Sequence, residues 1–400
     1  MSEARAGSRA LSAATTLAVV IAGTVIAMVA PARAGAVPAA VAVKTTLHCG
    51  DTITADTKLH VDLVNCPGDG IVIGADNITL DLNGHTIDGD GLRSECPDGP
   101  CDIGVSNLDG HDRVTVTGGK IRQFRAGAFV AGGAAHNRLR QLVIADTNDA
   151  GVIFADTTDS MIEKTSVAGS LGLGIVLARV DDSSIETNVV GGNDEGIGVF
   201  DSSRNTIRGN AVSHNAGAAI DMGGATTANR VQHNQLADNG DGIILQEVAG
   251  NLISGNVVTG TGFFGSAETG GFGIILDGAN RNTVDRNTVT GGRGPAILVL
   301  TLDSPTAPEG NLISRNTVNS RQSDGIYVGN TAIATVVERN TANRSGNDGI
   351  HVDGPSTRLT RNTANNNHNL GIEAVPGVID GGGNHASHNG NPAQCTNVVC

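Results

Sequence analysis

The chain repeats itself, and the repeat is too short to fold alone. The stretch NLISRNTVNSRQSDGIYVGN, residues 311–330, places Asn311, Ile313, Asn316 and Val318 at fixed intervals and closes on Asp324-Gly325-Ile326. The second Asn returns as Asn188, Asn210, Asn234, Asn256, Asn287, Asn316, Asn340 and Asn362, at spacings of 22, 24, 22, 31, 29, 24 and 22 residues. The first Asn returns as Asn205, Asn229, Asn251, Asn282 and Asn311. A closing Gly recurs at Gly127, Gly151, Gly174, Gly196, Gly217, Gly242, Gly273, Gly325, Gly349 and Gly371. A residue that recurs at one position of a short period is architecture before it is chemistry.

Within each unit the apolar residues alternate two apart, the period of a strand, and none follows a helical period. A unit of this length with two or three short strands buries nothing by itself. It can do so by coiling once and stacking on its copies, about 4.8 Å apart. Identical Asn side chains then lie above one another and satisfy buried turn backbone. Composition agrees: there are 56 Gly, one Tyr and no Trp, so the core must be a thin one of Val, Ile and Leu. The expected fold is all-β, a single-stranded right-handed parallel β-helix (solenoid) of about twelve to thirteen coils. Residues 70–374 are expected to form the helix, 35–69 an N-terminal segment and cap, and 375–400 a C-terminal cap that hides the open strand edge.

Residues 1–34 read as a signal peptide: Arg5 and Arg9, an uncharged run from Leu11 to Ala30, then Ala32-Arg33-Ala34. No later run is apolar enough to span a bilayer. Export suits six cysteines. Fifteen pairings are open, and proximity in sequence favours Cys49–Cys66, Cys96–Cys101 and Cys395–Cys400. With 26 basic and 40 acidic residues the formal charge is −14, which argues against a nucleic-acid partner.

The Asn-x-Ile-x-x-Asn-x-Val copies from about Ser160 to Asn369 resemble the β-helix repeats of secreted pectin-lyase-like proteins. They are also similar to repeats of the periplasmic copper-assembly factor of nitrous oxide reductase. The head, CGDTITADTKLHVDLVNCPGDGIVIGADNITLDLNGHTIDG, resembles the first coils of exported bacterial right-handed β-helix repeat proteins. The resemblance implies the fold and an extracellular setting. It also implies a choice of chemistries, since such folds carry lyases, hydrolases, epimerases and binding proteins.

Candidate site residues follow from where charges break the pattern. Asp149, Asp194 with Glu195, Asp241, Asp324 and Asp348 fall just before the closing strand, where polygalacturonase-like hydrolases keep catalytic aspartates; of these Asp149, Asp194, Glu195 and Asp241 are the candidates. NDEGIGV, residues 193–199, resembles one of their motifs, although their Gly-His-Gly and Arg-Ile-Lys motifs are absent. Calcium, a cofactor of many lyases on this fold, is the cofactor the resemblance implies for Asp194 and Glu195. KIRQFR supplies Lys120, Arg122 and Arg125, the densest basic group, which in a lyase would neutralise a uronate and remove its α-proton. Phe263 and Phe264, in the loop TGFFGSAETGGFG, and Tyr327 are candidate sugar-stacking residues. The residue two after each closing Gly is expected to point outward. That stripe reads Phe129, Ile153, Val176, Gly198, Ala219, Ile244, Ile275, Leu298, Tyr327, His351 and Glu373. It is apolar for most of its length and so a contact surface for a second copy, a folded-back segment or a ligand. The functional expectation is a secreted protein that binds an extracellular polysaccharide, with lyase or hydrolase activity as its enzymatic form. The alternative is a non-catalytic scaffold that uses its regular sides for protein contacts.

Overall fold

A computed structural model describes residues 46–92, 101–262 and 270–400. The signal peptide expected at 1–34, Cys96, Phe263 and Phe264 lie outside the described residues. Within them the regular structure is all β, and every pairing between strands is parallel. Fourteen strands, from Asp51–Ile53 to Ile372–Ala374, stack in one sheet, called here the first sheet. The other strands form a second and a third ladder that complete each coil. The strands Thr115–Arg122 and Arg138–Ala145 run through both ladders. The coils number fourteen, slightly more than the period suggests. The extra turns come from segments expected within the caps: Thr57 pairs with Leu80, Leu63 with Ile87, Arg358 with Ile379 and Ala364 with Ala386.

Each coil sends one apolar residue inward from each wall at the same height. The first sheet has an unbroken isoleucine column, Ile175, Ile197, Ile220, Ile243, Ile274, Ile297, Ile326, Ile350 and Ile372, each paired with the next. All are fully buried, and each burial stabilises by about 1.5–3 kcal/mol against exposure. Branched side chains suit this wall because they fill the pleat with little rotamer freedom to lose.

The asparagines form the predicted column at the corner between the second and third ladders. Asn188 Nδ2 donates to Asn210 Oδ1 at 3.0 Å, and the pattern continues through Asn234, Asn256, Asn287, Asn316, Asn340 and Asn362 at 3.0–3.1 Å. It ends on Asn384. Each Oδ1 also accepts the backbone N–H of the Asn one coil earlier, as Asn256 does from Asn234 at 3.0 Å. Each Nδ2 also donates to a backbone carbonyl, as Asn256 does to Val231 at 2.8 Å. The residue before the column Asn turns the chain with a positive φ in every copy, including Thr187, His233, Arg286, Arg315, Arg339 and Arg361. That conformation costs an ordinary residue about 1–2 kcal/mol, so the amide bonds of the next residue must hold it. Asn205, Asn229, Asn251, Asn282 and Asn311 form a second column. Asn193, Asn215 and Asn239 begin a third that the repeat analysis did not separate.

The closing-glycine column needs one correction. Ile197 pairs with Ile220 and Gly198 with Asp221. Ala219, not Gly217, therefore occupies the column, and Asp221 takes the outward place given above to Ala219. The turn before this strand is one residue longer, four residues from Asn215 to Ala219 against three from Asn193 to Gly196, so the first glycine after it, Gly217, falls two places short of the column. The column favours small residues because the next coil's carbonyl lies against it: a Cβ on Gly174 would sit 2.8 Å from Gly196 O.

Cys49–Cys66 and Cys395–Cys400 are bonded at the two ends of the stack. Cys101 is also disulfide-bonded, and its expected partner Cys96 lies outside the described residues. No helix among the described residues is long and apolar enough to cross a membrane.

Replacing Asn256 by Ala removes the acceptor of the Asn234 N–H and the amide donor to the Val231 carbonyl, and takes one of two bonds each from the Asn234 Nδ2 and the Asn287 Oδ1. The expected cost is about 1–3 kcal/mol, read as a lower urea midpoint at unchanged slope. An equal midpoint in the variant would mean that the column contributes nothing to stability.

Candidate functional site

The outer surface of the first sheet gathers most of the chemistry. Successive coils present Thr52, Val72, Ser106, Phe129, Ile153, Val176, Gly198, Asp221, Ile244, Ile275, Leu298, Tyr327, His351 and Glu373 in one outward column. The stripe is not the open apolar surface expected from the sequence. Phe129, Ile153, Ile275 and Leu298 are buried, and Val176 and Ile244 are half-buried. Toward the N-terminal end Phe129 and Ile153 pack with Ile103, Ala126, Ala150 and Ala155 in a second apolar cluster outside the helix core. The lateral crowding of a parallel sheet hides them, so the stripe offers little free apolar area to a second chain.

Polar chemistry begins where the apolar run breaks, at Gly198 and Asp221. Glu195 stands on the same strand as Gly198, three residues before it. Its side chain crosses Gly217, where a Cβ would meet Glu195 Cγ at 3.0 Å. Phe200 lies two residues beyond Gly198, half-buried, with its ring over two glycines. A Cβ on Gly198 would meet Phe200 Cε2 at 2.6 Å, and one on Gly223 would meet Phe200 Cδ1 at 3.4 Å. The missing side chains make room for the ring over Gly198 and Gly223, with part of it open to solvent.

Glu195 and Asp221 share an environment that disfavours charge. Burial, and then the charges of Asp221 and Asp194, push the Glu195 carboxyl up to about 7. Burial pushes Asp221 up to about 6 against one opposing backbone hydrogen bond. Among the described residues no Lys or Arg forms an ion pair with either. Two carboxyls with raised and separated pKa values beside an aromatic ring can give and take a proton near neutrality.

The other sequence candidates fall elsewhere or have structural partners. Asp194 is exposed at the corner. Asp149 pairs with Arg125 across one coil at 3.5 Å. Asp241 accepts the backbone N–H groups of Gly271 and Phe272 at 2.9 and 2.8 Å, holding the end of an inserted loop. Arg122 is bound to Asp88 at 2.8 Å, and Lys120 stands exposed on the third ladder. The basic group therefore does not face Glu195 or Asp221. Asp221 and Phe200 were missed. Aligning Ile197 with Ile220, in place of a fixed offset from glycine, would have found Asp221, and the alternation in GIGVF carried the signal for Phe200.

A second polar group surrounds His351. Tyr327 Oη donates to Asp353 Oδ2 at 2.8 Å, and its ring meets the His351 imidazole edge-on, centroids 5.1 Å apart. His351 lies within 4.0 Å of Asp324, Asp348, Asp353 and Glu373. Burial opposes its charge, but Asp324, Asp353 and Glu373 outweigh burial and raise its pKa to about 9.

Residues 84–261 match the family described as periplasmic copper-binding protein (NosD), and residues 228–389 match the one described as right handed beta helix region. Among the described residues of the first stretch no three His, Cys, Asp or Glu side chains converge, so copper has no evident ligand set there. No curated protein sequence matches the chain. Among solved structures, the mannuronan C-5 epimerase AlgE6 A-module of Azotobacter vinelandii is similar with a TM-score of 0.52. It is 13% identical, over 86% of this chain and 88% of that one. The tailspike of E. coli bacteriophage HK620, solved with a pentasaccharide, is similar with a TM-score of 0.49 and 13% identity, over 87% of this chain and 67% of that one. The family matches and the fourteen-coil architecture agree on the fold: the chain is a right-handed parallel β-helix built from repeats.

Proposed function

We propose that this is an exported glycan-binding protein whose outer first-sheet surface holds a polysaccharide segment at Phe200. In this reading Glu195 and Asp221 hydrolyse a glycosidic bond. The observation that carries it is the pairing of two carboxyls, raised to about 7 and about 6, with a flat aromatic ring supported on glycines. Near neutral pH the Glu195 carboxyl keeps its proton longer and acts as the general acid toward the leaving oxygen. Asp221 is the more ionised and serves as base or nucleophile. The fold is one that also carries a mannuronan C-5 epimerase module.

Hydrolysis fits better than elimination. A lyase must neutralise a uronate carboxylate with a cation, and Lys120, Arg122 and Arg125 stand away from the carboxyl pair. The charge of the surface favours neutral or amino sugars over polyuronates. From Glu195 onward its partly exposed charges include Asp221, Asp241, Asp353 and Glu373, with the His351 imidazole among them. Disulfides at both ends of the stack suit an oxidising compartment.

Reducing ends released from neutral and amino-sugar polymers should follow a bell-shaped pH profile with limbs near 6 and 7, set by Asp221 and Glu195. Glu195→Gln and Asp221→Asn should each lower release by about 100-fold or more, while Asp149→Asn leaves it unchanged. Undiminished release from the Glu195→Gln, Asp221→Asn double variant would end the hydrolytic reading. Phe200→Ala should weaken oligosaccharide binding by about tenfold, near 1.4 kcal/mol, in calorimetric titrations.

The same pair predicts a stability profile. The folded pKa of Glu195, about 7, lies above its ordinary 4.5. Its stabilising contribution is therefore complete below 4.5 and is lost as pH rises through about 7. Glu195→Gln should be more stable than the parent protein at pH 8 and less dependent on pH, as read from urea midpoints. A lower midpoint for the variant at pH 8 would show that the carboxylate is paired and stabilising.

A further inference from the structure

About four coil steps from Asp221, near 19 Å along the stack, three side chains on neighbouring coils aim single donor atoms at one point. Asp324 comes from one coil, and Asp348 and His351 from the next. Asp324 Oδ2, Asp348 Oδ2 and a ring nitrogen of His351 all lie within 4.8 Å of one another. The two aspartates are deeply buried, 6% and 0% exposed, while the imidazole keeps 23% of its surface.

These atoms are close but not bonded. His351 Nδ1 lies 3.6 Å from Asp324 Oδ2 and 3.7 Å from Asp348 Oδ2, too far for a hydrogen bond. Asp324, more than nine-tenths buried, turns Oδ2 toward the His351 ring as its ion-pair partner, and Asp348 Oδ2 also accepts Asn347 Nδ2 at 3.2 Å. The separations suit a shared ion. Two donors each about 2.1 Å from a tetrahedral metal sit roughly 3.4 Å apart.

The atoms that face away from this point are all held. Asp324 Oδ1 accepts from Asn347 Nδ2 at 2.7 Å and from the Asp348 N–H at 3.0 Å. Asp348 Oδ1 accepts the Leu370 N–H at 2.6 Å. His351 Nε2 lies 3.3 Å from Asp353 Oδ1, and Asp353 is fixed in turn by the Tyr327 hydroxyl. A carboxylate behind the far nitrogen of a histidine is the usual outer support of a metal ligand. Glu373 Oε2, one coil further on, lies 4.0 Å from Nδ1.

We infer that Asp324 Oδ2, Asp348 Oδ2 and His351 Nδ1 bind one divalent transition-metal ion that takes mixed nitrogen and oxygen donors, such as zinc or manganese. Asp353 is the positioning residue for His351. Calcium and magnesium take oxygen donors and would not use the imidazole. Three protein donors leave the outer side for Glu373, water or a ligand oxygen.

The test uses the mature protein without sugar, so its result does not depend on the proposed hydrolysis. Zinc, manganese, calcium and magnesium are titrated separately by calorimetry after chelator treatment, with thermal unfolding followed alongside. The expected result is one equivalent of zinc or manganese and a rise in Tm with that ion. His351→Gln and Asp324→Asn should abolish both effects, and Asp353→Asn should weaken binding about 10–100-fold. Circular dichroism identifies any variant that has lost the fold, and His351→Gln, which changes a half-exposed residue, keeps the test decisive if Asp324→Asn fails. No binding of zinc or manganese, binding retained in His351→Gln, or binding of calcium alone would each overturn the inference.

Discussion

A primary amide can accept and donate along a line without charge, and this stack depends on that property. Each column Asn accepts from the coil before it and donates to the coil after it, in a place closed to water. A carboxylate there would meet only its own kind, and a hydroxyl is too short to reach both neighbours and a carbonyl. The amide ladder also holds the left-handed residue at its corner, including several arginines with no intrinsic preference for that conformation. Once the corner is set, strand direction, register and the inward isoleucine column follow from the two-residue alternation of the strand.

Because the interior is given over to repetition, function is left to the outer walls. The first sheet shows how little is needed to make a wall specific. Over several coils it carries large apolar residues that shield one another. Where two glycines interrupt that row an aromatic ring lies down, and the carboxyls beside it lose much of their water. The altered acidity of Glu195 and Asp221 is thus first a packing effect, to which the neighbouring carboxylates Asp221 and Asp194 add at Glu195.

The repeat was legible because it is redundant: a blurred copy such as the one at Asn188 is corrected by the seven that follow. The candidate site lacked that protection. Asp149 and Asp194 occupy one corner position and Asp241 the next, in line with Glu195, but the structure gives the three different surroundings: a cation, solvent and a loop backbone. Equivalent positions in a repeat are equivalent only in their backbone. Asp221 escaped because one turn is a residue longer, which leaves its nearest glycine two places short of the column, so counting from that glycine names Ala219 in place of Asp221. His351 was read correctly as outward, and Asp348 and Asp353 flank it in sequence, but Asp324 and Glu373 come from coils more than twenty residues away, and only the stacking brings them to the ring.

The intervals between column asparagines differ more than the column does. Between Asn234 and Asn256 the chain makes its turn in 22 residues, and between Asn256 and Asn287 in 31, yet both side-chain bonds measure 3.0 Å. The longer excursion leaves and rejoins at one corner, and the entropy of closing a loop grows only slowly with its length. Architecture and decoration are therefore nearly independent variables in this molecule. A segment exchanged at that corner would alter what passes over the surface while the coils on either side keep their spacing, so recognition can drift without the fold having to be found again.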